Sequence, residues 1–135
     1  MAEATDYLEN KIAEHITGKT TFGAVTAFVG LATAAATPES GTVTEVTDAG
    51  AYARKALSGL MGTSANGVIA NTSAVTFTTA SAAWPGPLTH AFLCDSGTHG
   101  GGNILAVTVL DDQTKTVGNG DTFEFAIGDL TFTVT

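Results

Sequence analysis

Polar and apolar positions change period once along the chain, near residue 23. Before that point Leu8, Ile12 and Ile16 recur every fourth residue, which places them on one face of a helix. Asp6-Tyr7-Leu8-Glu9 has capping-box spacing, with Asp6 as the N-cap. Gly18 stands where a left-handed residue would end the helix. Glu3, Asp6 and Glu9 put negative charge at the positive end of the helix dipole. So short a helix with one narrow apolar stripe is not stable alone in water, so the stripe must lie on the rest of the domain or on another chain. An aspartate in place of Ile12 would then place an unpaired charge on a buried surface.

After Gly23 the period falls to two. Val25, Ala27, Val29 and Leu31 alternate with Thr26, Phe28, Gly30 and Ala32, predicting a first strand that is apolar on both faces. Residues 34–41 read as a loop turned by Pro38 and Ser40-Gly41. Residues 42–47 read as a short strand or extended arm. Residues 51–60 fit a helix through Tyr52, Ala56 and Leu60, or a strand through Tyr52, Arg54 and Ala56, and periodicity leaves both open. From Val68 onward short apolar runs alternate with turns. These are Trp84-Pro85-Gly86-Pro87, the glycine loop Asp95–Asn103, Asp111-Asp112-Gln113, and Gly118-Asn119-Gly120-Asp121, which is a strong hairpin signal. Such spacing predicts a mainly β chain, an antiparallel β-sandwich (jelly-roll-like) with one N-terminal α-helix. Residues 1–22 would form the helix or arm and residues 23–135 the sandwich.

Charge narrows the partners. Thirteen acidic residues stand against five basic ones in 135, giving a net charge of −8. That sign opposes a phosphate backbone and an anionic lipid surface, so neither nucleic acid nor membrane is an expected partner. A single cysteine, Cys94, excludes an internal disulfide framework and a cysteine-rich zinc site. No apolar run is long enough to span a bilayer as a helix, and Met1–Asp6 is acidic where a signal peptide would be basic. A hydrophobic share of 44% and a mean hydropathy of +0.23 are too high for a disordered chain. Threonine, alanine and glycine (24, 22 and 16 residues) dominate, which suits pleated surface, close packing and turns.

Few residues could carry chemistry. His99-Gly100-Gly101-Gly102 matches the oxyanion-loop motif of lipases, but the nearest partner string, Gly62-Thr63-Ser64-Ala65-Asn66-Gly67, has its second glycine one position late for a nucleophile elbow. A mobile glycine loop is the expected reading. His90, Asp95, Ser96 and His99 supply the residue types of a triad without its arrangement. His90 reads as a hydrogen-bonded core or interface residue, and Cys94 as a small buried hydrophobe. Asp95, Asp111, Asp112 and Asp121 sit in turns, where aspartate serves its own backbone more often than calcium. Trp84 is either a stacking platform for a sugar or partner, or a core anchor. Arg54 and Lys55 are candidates for an ion pair across an interface, with a solvated pair as the default. No catalytic, cofactor or metal residue is expected, and the chain reads as a non-enzyme.

Two groups of residues carry a family likeness. Ala4-Thr5-Asp6-Tyr7-Leu8-Glu9-Asn10-Lys11-Ile12 with Ala51-Tyr52-Ala53-Arg54 resembles small virion proteins of tailed bacteriophages, described as tail-fibre or capsid decoration (cement) proteins. The C-terminal half is similar to the same group at Trp84, Thr89-His90, Phe92, Gly101–Leu105 and Thr116–Phe123, and departs from it at Pro85-Gly86-Pro87. The resemblance implies an oligomeric β-sandwich of the virion. The main expectation is a capsid decoration protein, a homotrimer on the outer capsid surface that binds the major capsid protein. The alternative is a tail-fibre or tail-tip protein touching a host surface glycan. Leu8, Ile12, Ile16, Tyr52, Arg54 and Trp84 are the expected oligomer or capsid contacts.

Overall fold

The computed structural model describes residues 2–35 and 37–134. One position of the 34–41 loop reading, Ala36, lies outside them. The described residues are mainly β, with antiparallel strand pairing throughout the sheets and one α-helix among them.

Strand β1 (Glu3–Ala4) leads directly into helix α1 (Asp6–Ile16). The cap is Thr5, one residue before the expected Asp6: its side chain accepts from the Leu8 amide. The reason is tertiary. The Thr5 amide donates to Leu105 O, and its hydroxyl donates to Ile104 O at 2.7 Å, so the backbone is already held extended there. Gly18 takes the left-handed conformation expected after the C-terminus, with φ +74°. Residues 2–16 are thus tied to the main sheet at β1.

That sheet has β2 (Phe28–Ala35) near its centre. On one side β2 pairs with β7 (His90–Cys94), followed by β8 (Ile104–Val109) and β1. On the other side two short strands share its edge, β3 (Val43–Glu45) along the second half and β4 (Lys55–Ala56) along the first. The first strand therefore lies three residues later than the 25–31 alternation predicts. Val25 stays exposed, and the alanines read as loop pair with β3, because register against β7 aligns Val29 with Leu93 and Leu31 with Ala91. The ambiguous 51–60 stretch is not helical: Lys55–Ala56 forms a short strand, as part of the strand alternative had it, while residue 51 and residues 58–60 lie in turns.

The second layer consists of two separate ribbons, β5 (Val68–Ala70) with β10 (Thr131–Thr133), and β6 (Val75–Thr76) with β9 (Glu124–Phe125). The Gly118–Asp121 turn closes as expected through Asp121 N to Gly118 O, but its flanks do not pair with each other. They bond to residues 80 and 84 instead, through Gly120 N to Ala80 O and Trp84 N to Val117 O.

Both faces of the main sheet are apolar. Val29, Leu31 and Ala91 join Phe77, Phe123, Phe125 and Leu130 in the larger core. Ala32, Phe92, Cys94 and Val107 form a smaller one. Gly30 lies directly opposite Phe92, whose ring covers it so closely that a Cβ there would overlap the ring.

Candidate functional site

Where β3 stops and β4 has not begun, the edge of β2 lacks a strand, and polar side chains fill the gap. Val46 N donates to Leu31 O, and Leu31 N donates to the Tyr52 hydroxyl at 3.0 Å. Gly50 and Ala51, both at positive φ, turn the chain back so that Tyr52 and Arg54 reach the same glutamate. Tyr52 donates to Glu45 Oε1 at 3.0 Å. Arg54 grips both Glu45 oxygens, through Nε and Nη2, each at 2.8 Å. Its remaining donor, Nη1, contacts Cys94 Sγ, Ser96 O and Gly101 O. The guanidinium also lies over the Phe92 ring, 5.2 Å from its centroid.

This network is buried. The Arg54 and Glu45 side chains are only 3% and 7% exposed. Burial alone would push the Glu45 carboxyl up, but the Arg54 hydrogen bonds, the Gly100 amide and the arginine charge outweigh it, and the group is held below the usual carboxylate range. Arg54 is raised, chiefly by its hydrogen bond to Glu45. Burial, reinforced by the charge of Glu45, pushes the Tyr52 hydroxyl well above its ordinary range.

The glycine loop closes over the network. Gly100 N donates to Glu45 Oε2 at 3.0 Å. His99 Nε2 lies 2.8 Å from Val46 O, and since a carbonyl only accepts, Nε2 carries the proton. At Gly102, φ is +76° and an added Cβ would strike Ser96 and Asp95, so this position needs glycine. Beside the loop lies an open cleft of about 510 Å³, bordered by Asp6, Tyr7, Glu39 and Asn103 at the start of α1.

A family model, the podophage GP4 fiber I protein gp80 family, matches residues 3–133. The chain belongs to that family. It is a phage virion structural protein of fibre-like type. No curated protein matches it.

In this member of the fiber I family the six expected contact residues divide sharply. Tyr52 and Trp84 are core residues, 4% and 5% exposed. Trp84 is the anchor rather than the platform: its indole donates to Gly50 O at 2.8 Å and meets the Tyr52 ring edge-on. Arg54 is not solvated: its charge is neutralised inside the chain by Glu45. Leu8 is buried, Ile12 half-buried and Ile16 three-quarters exposed.

The remaining candidates are spent locally. In His99–Gly102 the Gly100 amide is occupied by a carboxylate, so it is not free for an oxyanion. His90 Nδ1 is bonded to Thr89 Oγ1. Cys94 is buried under Arg54. Asp95 accepts from Asn103, Asp112 from Thr114, and Asp121 from Gly118, each within its own turn. No group of three or more metal-ligating side chains occurs among the described residues.

Sequence reasoning missed Glu45 and Asn71. Glu45 is the only acid in the threonine–valine run 42–47, a weak signal of an inward role. Asn71 is 2% exposed and ties two distant loops together: its amide donates to Ser73 O and Ala126 O, and its carbonyl accepts from Leu130 N.

Proposed function

We propose that the chain is a non-enzymatic structural component of a podophage fibre, on the tail side of the virion, working as a homo-oligomer with a trimer as the expected state. The observation that carries this reading is the fiber I family match across residues 3–133. The main expectation from the sequence, a capsid decoration protein bound to the major capsid protein, has no such support, and the fibre alternative replaces it. The inward-turned chemistry of Glu45, Arg54 and His99 suits a building element, because it spends charge on holding a loop. The exposed, irregular stretch 17–26 after α1 offers chain for contacts between copies.

Gold-labelled antibody against the chain, applied to intact virions, tests the location. Label on the fibres is expected, and label over the head shell would overturn the fibre reading. Sedimentation of the pure protein tests assembly, with a discrete trimer expected and a strict monomer counting against it.

Contact with a host glycan remains attached to the fibre reading, but Trp84 cannot supply its platform. The open cleft favours it through one feature: the half-buried Tyr7 ring, with Lys11 Nζ 5.7 Å from its centroid, borders the cleft together with Asp6, Glu39 and Asn103. A glycan array comparing wild type with Tyr7→Ala checks this. Equal binding by both, or by neither, would remove the cleft.

A further inference from the structure

On the other side of α1 the surface has a different character. The helix stripe Leu8, Ile12 and Ile16 faces Phe132 and Val134 of the last strand and its tail across an open groove of about 490 Å³. Burial falls along this stripe. Leu8 is closed in, but Ile16 is 75% exposed and Val134 is 54% exposed. The floor is thus apolar and partly uncovered at its far end. Its rim is charged with one sign. Glu3, Glu9 and Glu39 line it, all three exposed, and no lysine, arginine or histidine does. None of these glutamates has an ion-pair partner among the described residues.

We propose that this groove docks an apolar segment flanked by cationic side chains, supplied by a different polypeptide. An apolar floor rewards an occupant that removes Ile16 and Val134 from water. Three unpaired carboxylates on the rim reward lysine or arginine at its flanks and disfavour acidic ones. A second copy of this chain is a poor occupant on the same grounds. It brings a further net charge of −8, and of its five cations Arg54 is buried against Glu45, while Lys11 and Lys19 both lie on Glu14. Lys55 sits within β4, and Lys115 stands between threonines without an apolar neighbour on either side. The inference goes beyond the fibre assignment, because it rests on the groove alone and names the chemistry of a partner.

The test uses the whole protein and a dye-labelled, short amphipathic leucine–lysine peptide, read by fluorescence anisotropy, with a leucine–glutamate peptide of equal length as control. Three variants accompany wild type: Ile16→Asp; Glu3→Gln with Glu9→Gln and Glu39→Gln; and Asp48→Asn with Asp111→Asn and Asp121→Asn, which removes the same number of charges elsewhere. The cationic peptide should bind wild type and the distal triple variant alike. It should bind the rim triple variant and Ile16→Asp about tenfold more weakly or worse. The acidic peptide should not bind. Failure of the cationic peptide to bind overturns the proposal, as does equal weakening by the distal charges, which would reveal attraction to net charge only. If Ile16→Asp instead dissolves an oligomer of the pure protein, the groove belongs to a second copy and the proposal is also overturned. Ile16 is largely solvent-exposed, so an unchanged melting curve for Ile16→Asp separates a docking defect from misfolding.

Discussion

Under the glycine loop, Glu45 and Arg54 meet with almost no exposure and with their polar atoms engaged. Along the outer face of α1, Ile16 and Val134 stand in solvent beside three unpaired glutamates. Both regions combine acidic and apolar groups, so composition does not separate them. What differs is completion. A charge placed in the interior must find its full set of partners within the chain, since an unpaired buried ion is far too costly. A charge on a rim meets water and can await a partner. Substitutions in the first region should therefore be read in stability, and in the second in binding.

The largest expected effect breaks the closed region. Arg54→Met leaves Glu45 buried without its counter-ion and removes the donor shared by Ser96 O and Gly101 O. Urea unfolding at neutral pH should show a loss of about 3–5 kcal/mol. The same variant sharpens the electrostatic account. In wild type the Glu45 carboxyl is held below its unfolded value, so its contribution is present above the ordinary carboxylate range and is lost as pH falls below about 5. Without Arg54, burial remains as the leading influence and favours the protonated acid, so this contribution should change sign. Comparing urea midpoints at pH 7 and pH 4 checks this: a wild-type and a variant that lose stability equally on acidification would refute the pairing.

Next comes the contact between the two central strands. Gly30→Ala forces the Phe92 ring aside and should cost about 1–3 kcal/mol. The double variant with Phe92→Leu should lose less than the two single changes summed, because the smaller side chain makes room for the new methyl group. Additive losses would mean that the ring is not what excludes a side chain at position 30.

Thr5→Ala tests the junction between the regions. It removes the cap of α1 and the hydroxyl bond to Ile104 O, with an expected loss of about 0.5–2 kcal/mol in thermal or urea unfolding. Asp6→Ala should cost less, because Asp6 is not the cap. The smallest effect belongs to the open region: Ile16→Asp should stay within about 0.5 kcal/mol of wild type. An aspartate at Ile12, which is only half-buried, should fall between these two. If Ile16→Asp proves as damaging as Thr5→Ala, the groove is part of the folded core and the contrast between the regions collapses.

Much of the local structure was legible before any contact was known. The four-residue recurrence of Leu8, Ile12 and Ile16 located the helix, and Gly18 ended it. Glycines and aspartates marked the turns, and the loop 95–103 was apparent from its composition. The Gly118–Asp121 turn formed as read. Its flanks, however, joined residues 80 and 84, because backbone chemistry specifies a turn while burial of Trp84 and Val117 specifies which strands meet. The first strand slid by three residues for a similar reason. Alternation from 25 to 35 is nearly uninterrupted, and only the match of Val29 to Leu93 and of Gly30 to Phe92 selects a register.

The buried pair shows the same division more sharply. Tyr52 and Arg54, two apart, were visibly able to share a face. The threonine–valine run around Glu45 gave only a weak sign that its side chain would turn inward, and nothing near Arg54 showed that Cys94 and Gly101 would lie on the guanidinium or that Phe92 would form its floor. By itself the sequence determined the class of fold, the helix, the turn positions and a net charge that narrows the partners, because these depend on the properties and spacing of near neighbours. Only the tertiary structure decided which polar groups are finished and which are left open. That depends on contacts between residues that are not near neighbours, from Glu45 with Arg54 to Arg54 with Gly101, set by strand register and by the water that burial removes.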